Sequence, residues 1–267
     1  MNSPNSSEPD PLRRLEIAAT MPAIDGHCDT HGPFQSKVLM LFSDSRVMRS
    51  RCPVCTAEAQ ELKRIETEKR EAEERQRITL MRFRRAGIPE RFIDRTFRTY
   101  VPTTPAQRRA LSIAQAFADS REPGRSLIMC GKPGTGKTHL ACAIANAMVL
   151  SGSTAYFATV LAAVRHVKDT YRRDSERSES EAIEDLTKPS VLILDEVGAQ
   201  IGSEHEKLIL FEVINERYAN CMPTILLSNL TQEELTTYLG ERVMDRFREG
   251  GAVIAFDWES HRGKRAA

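Results

Sequence analysis

The stretch Gly131-Lys132-Pro133-Gly134-Thr135-Gly136-Lys137-Thr138 fits G-x-x-x-x-G-K-[ST] in full. It follows directly on the apolar run SLIMC (126–130). It leads directly into THLACAIANAMVL (138–150), a helical pattern that stops at Ser151-Gly152. Strand, glycine-rich turn and helix is the setting in which this motif holds phosphates. The glycines let backbone N–H groups curl round an anion without Cβ clashes, and the start of the helix adds partial positive charge. Lys137 is expected to reach the β- and γ-phosphates of a nucleoside triphosphate, and the Thr138 hydroxyl to ligate Mg²⁺. His139, the next residue, is grouped with the nucleotide-binding residues.

Outward from this loop, apolar strands alternate with helical patterns. TAYFAT (154–159) reads as a strand and LAAVRHVKDTYRR (161–173) as a helix. VLILD (191–195) reads as a buried strand, HEKLILFEVINERYAN (205–220) as a helix and TILLSN (224–229) as another buried strand. QEELTTYLGERVMDRFRE (232–249) reads as a helix, and AVIAFDW (252–258) closes the series as a strand. Wholly apolar strands belong in a parallel sheet covered on both faces. Residues 87–267 therefore read as an α/β domain with a mostly parallel sheet between helices. Asp195 would sit at the carboxyl edge of its strand, where such sheets bind ligands, and act on Mg²⁺ largely through water. Glu196 beside it would orient or deprotonate an attacking water. Asn229, at the tip of TILLSN, is suited to hydrogen-bond that water or the γ-phosphate.

The chain has 267 residues, 40% hydrophobic and 28% charged, with 38 Lys+Arg against 37 Asp+Glu. These proportions exclude wholesale disorder and collagen-like repeats. The near-neutral balance excludes a globally basic nucleic-acid binder but not a local basic patch. No apolar run approaches the ~18 residues of a membrane span, and the polar N-terminus lacks the apolar centre of a secretory signal. A cytoplasmic protein with no membrane partner is expected, its cysteines reduced or metal-bound.

Residues 1–20 read as a disordered tail. Residues 58–86 carry seven Glu and nine Lys or Arg and read as a solvated connecting helix. Between them, in residues 21–57, Cys28-x₂-His31 is followed after 20 residues by Cys52-x₂-Cys55. Two such pairs on tight turns suit a tetrahedral Zn²⁺, with His27 open as a substitute for His31. The segment is too small for an apolar core, so metal would supply its folding energy. Cys130, Cys142 and Cys221 read as small core residues. Arg165, Lys168, Arg172 and Arg173 crowd one predicted helix with Tyr171 among them. Cations that neutralise phosphates and a ring that stacks on bases suit single-stranded DNA. The competing reading is a solvated face neutralised by the six acids of residues 174–185.

GKPGTGKTHLACAI, LILDEVG, LLSNL, LGERVMDR and FDWES occur in the order found in AAA+ P-loop ATPases of the initiator and loader group. Together they closely resemble the bacterial DnaC-type replicative helicase loaders, and the related IstB-type transposition-helper ATPases. The likeness covers about residues 87–262, including the lead-in AGIPERFIDRTFRTY. It implies ATP with Mg²⁺ at Lys137 and Thr138, hydrolytic carboxylates at Asp195 and Glu196, and a first sensor at Asn229. It also implies an arginine finger at Arg246, reaching the ATP of a neighbouring subunit, with Arg242 as the alternative. Arg262 is loosely similar in place to a second-sensor arginine. Arg242 and Arg246 are four apart and share a helix face, where salt bridges to Glu241, Asp245 or Glu249 compete with the finger role. The implied activity is loading of a hexameric replicative helicase onto single-stranded DNA, with self-association through the ATP site and helicase contact through residues 1–86. A transposition helper that remodels target DNA is the alternative, and a nucleotide-locked binding module the third.

Overall fold

The computed structural model describes residues 22–40, 47–120, 122–199 and 204–261. Two compact units divide between Arg75 and Gln76, inside one long helix. In the first unit, β1 (Ile24–Cys28) pairs antiparallel with β2 (Gly32–Ser36), and β3 (Val38–Met40) with β4 (Val47–Arg49). The Ser36 hydroxyl donates to the Ser50 carbonyl at 2.9 Å, and the Lys37 N–H to the Ser50 hydroxyl at 2.8 Å. Helix α1 (Pro53–Arg85) follows. Proline suits its first position, where no intrahelical N–H is required. Cys52-Pro53-Val54-Cys55 is therefore a helix start and not the expected free-standing turn. Among the residues of this unit whose burial is described, Ser36, Val38 and Cys52 are buried. No residue of α1 is buried, and its charges pair along the surface, as in Arg64 with Glu61 and Arg75 with Glu71.

In the second unit a lead-in with two 3₁₀ turns (Glu90–Phe92 and Phe97–Thr99) precedes α2 (Pro105–Asp119). The Thr104 hydroxyl and the Gln107 amide form the capping box that starts α2, an element the hydrophobic pattern did not disclose. Then come β5 (Leu127–Gly131), α3 (Lys137–Leu150), β6 (Ala155–Thr159), α4 (Val160–Lys168), α5 (Glu179–Thr187) and β7 (Val191–Asp195). The chain continues through α6 (Glu204–Ala219), β8 (Thr224–Leu227), α7 (Gln232–Leu239), α8 (Glu241–Gly250) and β9 (Ala252–Phe256). The strands form one parallel sheet in the order β6-β7-β8-β5-β9. Alternate residues serve opposite layers. Ile128, Leu192, Leu194 and Leu226 pack with α4 to α8, and Leu127, Met129, Ile193 and Ile225 with α2 and α3. The expected α/β sandwich is present.

Several boundaries differ from expectation. The helix expected over 161–173 ends at Lys168. There the chain tightens into a 3₁₀ turn (Asp169–Tyr171), the Thr170 hydroxyl bonding back to the Val167 carbonyl at 2.7 Å. The helix expected over 232–249 is two helices, because Gly240 adopts φ 81° and ends α7. The strands expected to reach Asn229 and Trp258 stop at Leu227 and Phe256. Helix α5, hidden in an acidic run, is capped by Ser178. Cys130 and Cys142 are buried as expected, whereas Cys221 is exposed in the turn after α6, with φ 52°.

Arg217 of α6 is fully buried, a position its charge concealed. Its guanidinium donates to the carbonyls of Leu186, Thr187, Pro189 and Pro223 and to the Thr224 hydroxyl, at 2.6–3.1 Å. It thereby joins the end of α5 to the starts of β7 and β8. Burial pulls its pKa down to about 10, which leaves it charged at neutral pH. Arg217→Met is expected to strand these acceptors at about 1–3 kcal/mol per unsatisfied group. Thermal unfolding should show a loss of about 3 kcal/mol or more; an unchanged midpoint would contradict the role.

Candidate functional site: the phosphate loop and the cysteine cluster

The loop between β5 and α3 requires its glycines. Gly131, Gly134 and Gly136 take φ of 118°, 75° and 102°. A Cβ on Gly131 would meet the Phe256 carbonyl oxygen at 2.6 Å, and one on Gly136 the Tyr100 ring at 2.9 Å. Lys132 and Pro133 stand exposed at the tip, and Thr135 is buried with its hydroxyl on the Lys132 carbonyl at 2.8 Å. The segment after β9 braces the loop from outside. The Trp258 indole N–H donates to the Thr135 carbonyl at 3.0 Å, and the His261 N–H to the Gly134 carbonyl at 2.9 Å. Carbonyls held in this way leave the curve of the loop to its N–H groups, the arrangement that accepts anions.

Lys137 is buried, its ammonium donating to the Gly131 and Lys132 carbonyls at 2.7 and 2.8 Å. The Thr138 hydroxyl donates to Asp195 Oδ2 at 3.1 Å. A hydroxyl and a carboxylate so placed are hard oxygen donors suited to Mg²⁺. Asp195 Oδ1 accepts the Glu196 N–H at 2.7 Å. Glu196 is exposed and holds φ 62°, a left-handed conformation that costs a non-glycine residue about 1–3 kcal/mol. The next residue fixes it there: the Val197 N–H donates to the Leu227 carbonyl, and the Val197 carbonyl accepts the buried Ser228 hydroxyl. Asn229 lies exposed just beyond. The structure thus gathers Lys137, Thr138, Asp195 and Glu196 at the carboxyl edge of the sheet.

The lead-in segment lies along α3. Asn146 donates to the Ile93 and Arg95 carbonyls at 3.0 and 2.7 Å. His139 Nε2 meets the Thr96 carbonyl at 3.2 Å and the Thr99 hydroxyl at 3.1 Å, and its ring stands edge-on to Tyr100. Burial lowers the His139 pKa, so the ring is neutral at pH 7. The contacts of His139 therefore run to the lead-in. Tyr100 escaped the sequence reading. It is buried against Gly136, its hydroxyl has no hydrogen-bond partner among the described residues, and burial pushes its pKa up to about 12.

In the first unit the ligand atoms of Cys28, His31, Cys52 and Cys55 lie within 4.8 Å of one another. His27 is not in this group. Cys28 and Cys55 sulfurs are 3.5 Å apart, and His31 Nδ1 is 3.2 Å from Cys55 Sγ and 3.8 Å from the sulfurs of Cys28 and Cys52. Tetrahedral Zn²⁺ with bonds of about 2.0–2.3 Å needs ligand separations of about 3.5–3.8 Å; three of the separations above lie in that range and His31 to Cys55, at 3.2 Å, just below it. The His31 and Thr30 N–H groups stabilise the Cys28 thiolate and, with the Cys55 thiol, pull its pKa to about 6. The bond to Cys28 raises Cys55 to about 11. One thiol of the set is thus the readier to lose its proton and the other the more reluctant.

The family model for IstB-like ATP binding proteins matches residues 60–266. The replicative helicase loader DnaC of Escherichia coli strain K12 is 38% identical over 184 residues, covering 68% of this chain and 75% of the loader. The chain belongs to the IstB-like ATP-binding family. Among solved structures, the DnaC helicase loader superposes with TM-score 0.57 at 26% identity, covering 62% of this chain and 99% of that one. DnaI superposes with TM-score 0.55 at 24% identity, over 62% and 93% of the two chains, a likeness of fold. The expected AAA+ resemblance is confirmed, and the cysteine cluster falls outside the matched family region.

The remaining expected residues of this family member are dispersed. The Arg246 guanidinium lies 5.1 Å from the centre of the Tyr218 ring. Arg248 takes Glu241 and Asp245 at 3.1 and 2.9 Å, while Glu249 accepts the Tyr218 hydroxyl. The acids that compete for Arg246 are thus engaged elsewhere, and Arg242 is exposed. Arg262 lies outside the described residues. Arg165, Lys168, Tyr171, Arg172 and Arg173 do not share one helix. Lys168 pairs with Glu206, Arg172 with Asp169, and the Tyr171 hydroxyl with Glu179. Arg165 and Arg173 are exposed. No helix among the described residues is long and apolar enough to cross a membrane.

Trp258, the chain's one tryptophan, is bonded to the phosphate loop. Titration with MgADP is expected to change its fluorescence saturably. A titration that leaves the emission flat while nucleotide binds by calorimetry would show the brace indifferent to occupancy.

Proposed function

We propose that this chain is an ATP-dependent loader of a hexameric replicative DNA helicase onto single-stranded DNA. The observation that carries the reading is the 38% identity to an E. coli replicative helicase loader over 184 residues, far more than an eight-residue phosphate loop accounts for. In this reading Lys137 neutralises the β- and γ-phosphates and Glu196 orients the attacking water, with Asn229 beside it. Mg²⁺, held by Thr138 and Asp195, would neutralise phosphate charge. Self-association brings Arg246, or Arg242, to the ATP of a neighbouring subunit. Zn²⁺ on Cys28, His31, Cys52 and Cys55 holds together the segment proposed to grip the helicase. Arg165 and Arg173 supply exposed cations for DNA, joined by Lys168, Tyr171 and Arg172 once they leave their acidic partners.

The second reading, carried by the resemblance to IstB-type transposition helpers, is a transposition-helper ATPase that remodels target DNA. A loading assay separates the two. The full chain, ATP, circular single-stranded DNA and the replicative helicase of the same source are expected to leave helicase topologically retained on the circle. Retention of a transposase in place of the helicase supports the second reading.

Lys137→Ala is expected to abolish nucleotide binding. Glu196→Gln is expected to retain binding while hydrolysis falls by roughly 10²–10⁴-fold, since an amide takes no proton. Equal loss of binding in both would contradict this division.

Arg246→Ala is expected to leave the ATP affinity of dilute protein near normal and to lower hydrolysis in assembled protein by roughly 10³-fold or more. Mixed with Lys137→Ala, which keeps an intact finger, it should recover part of the activity that each lacks. Steady-state ATPase rates of the variants, alone and mixed on single-stranded DNA, check this; a mixture with no rescue would assign Arg246 to its own helix surface.

A further inference from the structure

We infer that Glu58 is a positioning residue for the proposed zinc site, accepting the Nε2–H of His31 so that the imidazole meets the metal through Nδ1. The inference rests on the zinc reading above. His31 Nδ1 faces the sulfurs of Cys28, Cys52 and Cys55 at 3.2–3.8 Å. On the other side of the ring, Nε2 lies 3.3 Å from Glu58 Oε1. A neutral imidazole carries one N–H and one lone pair. With the proton on Nε2, the ring donates to the carboxylate and its lone pair points among the three sulfurs. The opposite tautomer would aim an N–H at the sulfurs and set a lone pair against a carboxylate.

Glu58 is placed for this task by helix geometry. It follows Cys55 by three residues on α1, so one face of the first helical turns carries both a ligand and the group that orients another ligand. Glu61, one turn further on, is instead paired with Arg64 at 2.6 Å. Outer partners of metal-bound histidines set tautomer and ring orientation, and their loss weakens metal affinity by about 10–100-fold.

The test uses the full chain. Elemental analysis of wild-type protein is expected to find one Zn²⁺, and Co²⁺ replacing it to give thiolate-to-metal absorption. Long-range ¹H–¹⁵N spectra of the zinc-loaded protein are expected to show His31 metal-bound at Nδ1 and protonated at Nε2. In competition with a chromogenic chelator, Glu58→Ala is expected to hold Zn²⁺ about 10–100-fold more weakly. Glu58→Gln, which keeps an acceptor oxygen, should fall between, and Glu61→Ala should match wild type. Zinc held at Nε2, or wild-type affinity in both Glu58 variants, overturns the role of Glu58 and leaves the zinc site standing. A wild-type chain that takes up neither Zn²⁺ nor Co²⁺ overturns both.

Discussion

The hydrogen bond from Thr138 to Asp195 joins the first turn of α3, which follows β5, to the tip of β7, although β8 lies between β5 and β7 in the sheet. It depends on the parallel register of the sheet, which sets Leu127 of β5 beside Ile225, and Leu192 of β7 beside Thr224. Because β8 ends at Leu227, the hydroxyl and the carboxylate meet over its tip. Antiparallel strands would send these tips to opposite edges of the sheet. Parallel order gathers them at one edge, where the helix start and the strand-end carboxylates act on the same phosphates.

Around that edge the backbone stores conformations that an ordinary chain avoids. Three glycines and Glu196 sit at positive φ. Neighbours constrain three of the four: Phe256 crowds Gly131, Tyr100 crowds Gly136, and the bonds of Val197 hold the residue after Glu196. The brace from Trp258 and His261 belongs to the same logic, fixing loop carbonyls from residues more than a hundred positions away in sequence. A site held from both sides needs little rearrangement to receive an anion, and little rearrangement is what electrostatic stabilisation requires.

The first unit follows the opposite strategy. Among its residues whose burial is described only Ser36, Val38 and Cys52 are buried, and so small a segment gains little from hydrophobic transfer. Its organising contact is the approach of three thiols and an imidazole drawn from a hairpin turn and a helix start. The second unit is thus organised by an apolar sheet and the first around a cluster of thiols and an imidazole, and the chain changes from one to the other within α1.

The sequence by itself determined the α/β class, the nucleotide loop, the Asp195–Glu196 strand tip and the paired cysteine and histidine spacing, with His27 and His31 both open. Each is a local pattern: apolar runs of strand length, glycines at fixed offsets, cysteine and histidine pairs three positions apart. Gly240 was also in view, but its φ of 81°, which splits one expected helix into α7 and α8, depends on how the two helices pack. Only the tertiary structure decided that Arg217 is buried, that Tyr100 and Trp258 flank the phosphate loop, and that Lys168 pairs with Glu206. It also chose His31 over His27 and gave His31 a carboxylate on its far nitrogen. The physical reason is range. Periodicity and spacing act through neighbours along the chain, whereas burial of a charge, a brace across a loop and the partner of a ring nitrogen depend on segments that meet only when the chain has folded.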